Sequence, residues 1–318
     1  MKRFENGSRG TTWFMALVMF VFLAGCGSGD EVLGGRSGGG SGGPGPGPGP
    51  GPAGTAPALG AAAGFAGLAG GAAGMTNQGT STVIQGAQGQ PVSIGTTGAS
   101  TLVTGFHDTS MAYTPPPAAS GCTYTETTMN IGVVKGTINT YAPPPTPACS
   151  NEGTAATQAI ADQAALDALT AFNDLAGRPG AIDPGANLGG LTLAPGVYKT
   201  ASGAFLITGS DLTLDAGGNP NAVWVFQMAT SLTVGAAALP RSIILAGGAQ
   251  PKNVFWQVGS AATINAAGGG TMVGTIISSA ATSFSTAGNA TITTLNGRAL
   301  ALNASVTMAN TVINVPAP

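Results

Sequence analysis

Charge is what this chain has least of. Only 7% of its 318 residues are Asp, Glu, Lys or Arg, against roughly 25% in ordinary soluble domains. The formal net charge is −2, so there is no basic field to hold nucleic acid and no acidic one to gather cations. Histidine is almost missing as well. His107 stands alone, so neither a Ser-His-Asp constellation nor a His-based zinc site is expected, and no metal or cofactor is called for. Asp211 and Asp215 lie on one side of a single predicted strand. Four residues of extended chain put them roughly 13 Å apart, outside the ~5–9.5 Å of paired glycosidase carboxylates. The expectation is a protein with no catalytic residue.

Long apolar runs are also lacking. Residues 13–23 make a run of 11, where a spanning helix needs roughly 20. Lys2, Arg3 and Arg9 precede this run, and Leu23-Ala24-Gly25-Cys26 follows it. The order of positive, apolar and small residues is that of a targeting segment. The last four residues resemble the bacterial lipobox, which implies that residues 1–25 are a lipoprotein signal peptide and that Cys26 is acylated. Gly27 and Ser28 follow Cys26 in place of Asp. By resemblance to Gram-negative lipoprotein sorting, this implies the outer membrane, with the domain exposed outside. Residues 26–57 then form a lipidated tether: glycine-rich at 34–43, alternating Pro and Gly at 44–52, with a reach of roughly 30 Å.

Three cysteines are present. With Cys26 assigned, Cys122 and Cys149 remain, and an isolated pair in an exported chain is expected to form a disulfide. Two reactive thiols are the alternative, but no His or Lys cluster lies nearby to lower a thiol pKa.

Residues 58–318 read as one mainly β domain. Within it, 107–150 is a variable cap or insertion and 151–177 a helix. The helical stretch is alanine-rich and free of proline, with Ile160, Ala164, Ala165, Leu169, Phe172 and Leu175 at helical spacing, and Gly177 then Pro179 to stop it. A rod of 24 residues is roughly 36 Å long, close to seven strands stacked about 4.8 Å apart. Such a helix can lie along a coil of strands. Runs at 222–228, 253–258 and 272–277 are almost unbroken in apolar residues, as strands buried on both sides are, so the helix is expected to cover them. Strands at 242–245 and 290–295 close the triangle, with Thr293 facing outward.

The remaining strands alternate. Asp211-Leu-Thr213-Leu-Asp215, Ser231-Leu-Thr233-Val-Gly235, Ala261-Ala-Thr263-Ile-Asn265, Ala281-Thr-Ser283-Phe-Ser285 and Ser305-Val-Thr307-Met-Ala309 each put a hydroxyl between two inward-facing side chains. Their centres recur every 20–30 residues, the unit size of a solenoid. Thr213, Thr233, Thr263, Ser283 and Thr307 are therefore predicted to stack in one outward column.

At this point the residues resemble a known family, the microbial ice-binding (antifreeze) proteins with a discontinuous β-solenoid and an axial helix. The resemblance is carried by Leu193-Ala-Pro-Gly-Val-Tyr198, Asn221-Ala-Val-Trp-Val-Phe-Gln227, Asn253-Val-Phe-Trp-Gln-Val-Gly259, Gly274-Thr-Ile-Ile277 and Leu295-Asn-Gly-Arg-Ala-Leu300, with Val103-Thr-Gly-Phe106 and Lys135-Gly-Thr-Ile138 in order. It implies a right-handed discontinuous β-solenoid of triangular section whose flat face binds an ice crystal. The ice-contact residues are then the five of the column, with Ser231, Asn265, Ser285 and Ser305 flanking. The implied activity is inhibition of ice growth or recrystallisation, or attachment of the cell to ice, by a monomer that touches membrane only through its lipid anchor. The competing reading is a surface adhesin or glycan-binding envelope lipoprotein. That reading needs an exposed aromatic platform, whereas Trp224 and Trp256 fall in the doubly apolar strands.

Cys26→Ala should move the protein from the membrane fraction to the soluble fraction in cell fractionation. Membrane association that survives the substitution would remove the lipid anchor from this account.

Overall fold

The alternating triplets form strands with their apolar members turned inward. In the computed structural model, which describes residues 53–236 and 238–317, these strands stack in parallel as one side of a three-sided coil. The predicted signal segment, Cys26 and the tether up to residue 52 lie outside the described residues. The first side has seven strands. In spatial order they are Phe205–Ile207, Leu232–Val234, Ala262–Ile264, Thr282–Phe284, Val306–Met308, Met75–Asn77 and Val103–Thr104.

The doubly apolar runs supply the second side: Gly196–Lys199, Trp224–Met228, Val254–Val258, Thr271–Ser278 and Thr293–Ala301, continued by Phe65–Ala69, Ser93–Ala99 and Ile138–Tyr141. Alternate residues of these strands enter two separate cores. Tyr198, Phe226 and Trp256 are register partners that point into the coil. Phe226 lies 4.0 Å from Trp256 and 5.4 Å from Tyr198, centroid to centroid. Val197, Val225, Phe255, Ile277 and Leu300 point out, under the helix. Strands buried on both faces need this unbroken apolar sequence.

The third side begins with a three-stranded sheet, Thr192–Leu193, Leu212–Asp215 and Ile243–Ala246. The stretch 290–295, expected on this side, does not pair with that sheet. It opens the long strand Thr293–Ala301, which pairs with Thr271–Ser278 and turns the corner between two sides without a break. Gly274 and Gly297 are register partners in that pair. A Cβ on Gly297 would lie 1.8 Å from the Gly274 carbonyl oxygen, and Gly274 itself has φ +101°, so neither position admits a side chain. Thr293, predicted to face outward, is fully buried and its Oγ1 has no hydrogen-bond partner.

One turn of the coil is built from both halves of the chain. Thr311–Val315 pairs with Thr293–Ala301 on one edge and Thr82–Gly86 on the other. Phe65–Ala69 pairs with Thr293–Ala301, and Met75–Asn77 with Val306–Met308. The late coils therefore stack directly on the early ones, and the coil is discontinuous where Val315 gives way to Phe65.

The helix runs Ala155–Ala176, a little shorter than 151–177. Thr154 caps its start reciprocally with Thr157. At its other end Gln227 Nε2 donates to the carbonyls of Leu175 and Arg178, at 2.8 Å each, which satisfies acceptors a helix end leaves open. The buried face differs from the predicted one. Ala161, Ala164, Ala168, Ala171 and Leu175 lie against the sheet, while Ile160 and Leu169 are 49% and 43% exposed. Phe172 and Ala165 pack at its margin. The sheet already presents Phe65, Phe255 and Leu300, so the surface that fits closest is the one with the smallest side chains. Ala53 packs into the same cluster and Arg178 Nη1 donates to Thr55 O at 2.7 Å, so residues 53–57, read as tether, are laid against the domain.

The cap at 107–150 closes one end. Phe106–Asp108 pairs antiparallel with Thr123–Tyr124, and Cys122 and Cys149 form the expected disulfide, with a Cα–Cα distance of 5.4 Å. His107 bonds Glu126 through Nδ1 at 2.8 Å and stacks on Tyr113. Tyr124 OH donates to Glu152 Oε2 at 2.7 Å. Burial, reinforced by Asp108, pushes the Glu152 carboxyl up to about 8.

Ala168→Leu forces extra methylenes between helix and sheet and should cost about 1–3 kcal/mol in denaturant unfolding. Leu166→Ala, on the open side at 59% exposure, should change stability by less than about 0.5 kcal/mol. Equal effects would mean that the helix seats on its leucines.

Candidate functional site

On the seven-stranded side each strand turns its central residue outward. Register places Leu206, Thr233, Thr263, Ser283, Thr307, Thr76 and Thr104 side by side in one row. All the hydroxyl bearers are half-buried at their bases. Six strand-to-strand steps make the row about 29 Å long at ~4.8 Å per step. The residues on either side of each centre are its anchors: Leu232 and Val234, Ala262 and Ile264, Thr282 and Phe284, Val306 and Met308, each 0–1% exposed. Five of the seven positions in the row are threonine, whose β-branch restricts χ1. The spacing of the hydroxyls is thus set by the backbone ladder and their direction by a stiff side chain. The row holds no ionisable group.

Two residues before each centre a second row runs parallel, about 6.7 Å away along the strands. It consists of Ala204, Ser231, Ala261, Ala281, Ser305, Gly74 and, before Thr104, Leu102. Ser231 and Ser305 are half-buried, as a flanking position requires. Ser305 Oγ accepts from Gly74 N at 3.3 Å, which turns the hydroxyl along the surface. Small residues at the first six of these positions keep the face level beside the threonines, and Leu102 ends the row.

Three predicted members lie elsewhere. Thr213 sits on the third side, between Thr192 and Ile244. A Leu-Thr-Leu alternation is the same on any exposed side of the coil, and the 20-residue step from Thr213 to Thr233 runs from the third side to the hydroxyl side rather than once around. The place in the row belongs to Leu206, 37% exposed. Asn265 is 1% exposed with φ +45°. It has passed the strand end and turned in, where its Oδ1 accepts from Arg241 N and its Nδ2 donates to Arg241 O, at 2.9 Å each. Ser285 turns in at the same corner of the next coil, with φ +57° and 5% exposure.

Thr76 and Thr104 were not predicted. Thr76 is followed by Asn77, polar yet 1% exposed, and Thr104 by Gly105, so neither stretch shows the apolar alternation of the other triplets, and both join the row through pairing with the far end of the sequence. The Val103-Thr-Gly-Phe106 motif was the one available sign of Thr104.

The groups considered for other chemistry are engaged in the fold. Asp211 Oδ1 accepts from Ser242 N and Asp215 Oδ1 from Gly217 N, both at 2.9 Å, closing corners. Trp224 and Trp256 are fully buried, and Tyr141 is the one exposed aromatic among the described residues.

Comparison with known proteins agrees with this geometry. A family model described as ice-binding-like matches residues 69–314. The chain is 41% identical over 182 residues to an ice-binding protein of Nostoc sp. (strain HG1), covering 57% of this chain and 62% of that one. It is 37% identical over 149 residues to an ice-binding protein of Flavobacterium frigoris (strain PS1), covering 46% and 49%. The matched stretches thus span roughly half to three-fifths of these relatives' own length. Among solved structures, that of an ice-binding protein from the Antarctic ascomycete Antarctomyces psychrotrophicus superposes with a TM-score of 0.59 at 32% identity, over 83% of this chain and 100% of that one.

Asn265→Ala leaves the Arg241 amide and carbonyl unpaired at a buried corner and should cost about 1–3 kcal/mol. Thermal unfolding of the purified chain measures this. An unchanged melting temperature would return Asn265 to the surface.

Proposed function

The chain belongs to the ice-binding-like family, and on that premise we propose that it adsorbs to ice through the row Thr233, Thr263, Ser283, Thr307, Thr76 and Thr104, with Ser231 and Ser305 flanking. One observation carries this reading: six hydroxyls held in register on a flat, uncharged side of the coil.

The chemistry follows from repetition. Each hydroxyl anchors a water, and the threonine methyls, with alanine and glycine between them, leave neighbouring waters no better partner than one another. Water over the face is then ordered with the periodicity of the strands before it meets a crystal. A single such contact is weak, since a net hydrogen bond is worth only about 1 kcal/mol, and adsorption needs the whole row at once. A rigid row allows this, because nothing has to be ordered on contact. Once adsorbed, the protein pins the ice front between neighbouring molecules and raises its curvature, which slows growth and recrystallisation.

The acylated Cys26 and the glycine- and proline-rich tether belong to the same proposal. They hold a monomeric domain at the outer envelope with its hydroxyl side free, and so can also attach the cell to ice. The glycan-binding alternative gains no support from a described surface on which neither Trp224 nor Trp256 is exposed.

Thr263→Tyr should leave the melting temperature unchanged, because an outward strand position accepts an aromatic ring. It should weaken recrystallisation inhibition at least about tenfold, equivalent to ~1.4 kcal/mol of adsorption free energy, since the ring holds the crystal away from Thr233 and Ser283. Thr76→Tyr should do the same, and Thr213→Tyr, on the third side, should have no effect. Full activity in Thr263→Tyr with loss in Thr213→Tyr would place the site on the wrong side of the coil.

A further inference from the structure

The break in the coil leaves a motif that the hydroxyl face does not use. Arg298, in Leu295-Asn-Gly-Arg-Ala-Leu300, lies where the strand ending at Val315 gives way to the strand starting at Phe65. It is 5% exposed. Its Nε donates to Ala63 O at 3.0 Å, which ties the early half of the chain to the late half. That bond occupies one edge of the guanidinium. Among the described residues no carboxylate pairs with Arg298, and Nη1 and Nη2 have no described hydrogen-bond partner. Burial pulls its pKa down to about 10, and no anion among the described residues restores it.

Burying a guanidinium is costly, and this one, with no carboxylate partner among the described residues, lines two adjoining cavities of about 270 and 390 Å³. The larger has apolar walls from Pro57, Leu59 and Phe255, and Lys252 borders it. A second unused polar group stands beside Arg298. Thr275 is its register partner on the adjacent strand and lies on the same side of the sheet as Phe255. Thr275 is 1% exposed and its Oγ1 has no partner. The seam thus brings together a two-pronged cationic donor and an apolar wall, with an orphan hydroxyl on the strand between Phe255 and Arg298.

We propose that this seam is a binding site for a small carboxylate with an apolar tail. The two Nη groups of Arg298 take the carboxylate side-on, the geometry that guanidinium matches best, and Thr275 Oγ1 donates to one of its oxygens. The tail lies along Pro57, Leu59 and Phe255. Because the site straddles the junction of the two halves, an occupied seam also holds the discontinuous turn together. This inference is independent of ice adsorption, which takes place on another side of the coil.

Calorimetric titration of the full chain with hexanoate tests it, with hexanamide as the neutral shape match. The expected result is a single saturable site for hexanoate, none for hexanamide, and a melting temperature that rises with hexanoate concentration. Thr275→Val removes an unpaired hydroxyl without changing shape, so it should fold normally and weaken hexanoate about tenfold, as loss of a bond to a charged group does. Arg298→Lys keeps the charge but loses the fork and should weaken it at least as much. Should Arg298→Lys fail to fold, Thr275→Val decides alone. No saturable heat, equal binding of hexanamide, or an affinity that survives either substitution in a folded protein overturns the proposal.

Discussion

Backbone hydrogen bonds between Val306–Met308 and Met75–Asn77 join stretches of chain far apart in sequence; Gly74 and Ser305, which meet there, are 231 residues apart. The flat face exists only because these bonds form. Without them the late half would present five strands with an open edge, and the early half two strands that cannot stand alone. With them, Thr307 is followed by Thr76 and Thr104 at the same spacing as every other pair in the row. The periodicity a crystal would meet is therefore a property of the parallel ladder, and the side chains only decorate it. Such long-range pairing incurs loop entropy before it is rewarded, which gives the helix its purpose.

The helix packs across strands of both halves. Its alanine face lies against Phe65 and Leu68 from the early strands and Val225, Phe255, Ile277 and Leu300 from the late ones. Alanine there lets a straight rod approach a flat sheet closely, and the thick side chains come from the sheet. Gln227 at one end and Thr157, whose Oγ1 donates to Thr140 O at 2.5 Å, at the other fix the rod to a late strand and an early one. The helix, the ladder and Arg298 are three fastenings of the same joint.

What could be read from the sequence follows from how far along the chain each feature acts. Alternation within a triplet is local, so the order of residues alone identifies Thr233, Thr263, Ser283 and Thr307. The doubly apolar strands and the covering helix were legible for the same reason. Which side of the coil a triplet occupies is not local, and Thr213 shows it: its pattern is that of its neighbours in the row, but its strand pairs with Thr192–Leu193 and Ile243–Ala246. Corners hid Asn265 and Ser285, because a positive φ just past a strand reverses the expected direction of a side chain. Helical spacing of large apolar residues points to the wrong helix face, because a sheet already rich in Phe and Leu favours the small residues. Arg298 stood in a recognised motif with no role, and its significance appears only when the break in the coil is seen.

Transfer of magnetisation from ice protons to the methyl groups of the adsorbed protein tests the central claim most directly, since it reports contact without altering a residue. The account predicts that the methyls of Thr76, Thr104, Thr233, Thr263 and Thr307 lose intensity together, while those of Thr192 and Thr213 on the third side keep theirs. Loss confined to the late strands, with Thr76 and Thr104 unaffected, or loss centred on Thr192 and Thr213, would contradict a single face built across the junction.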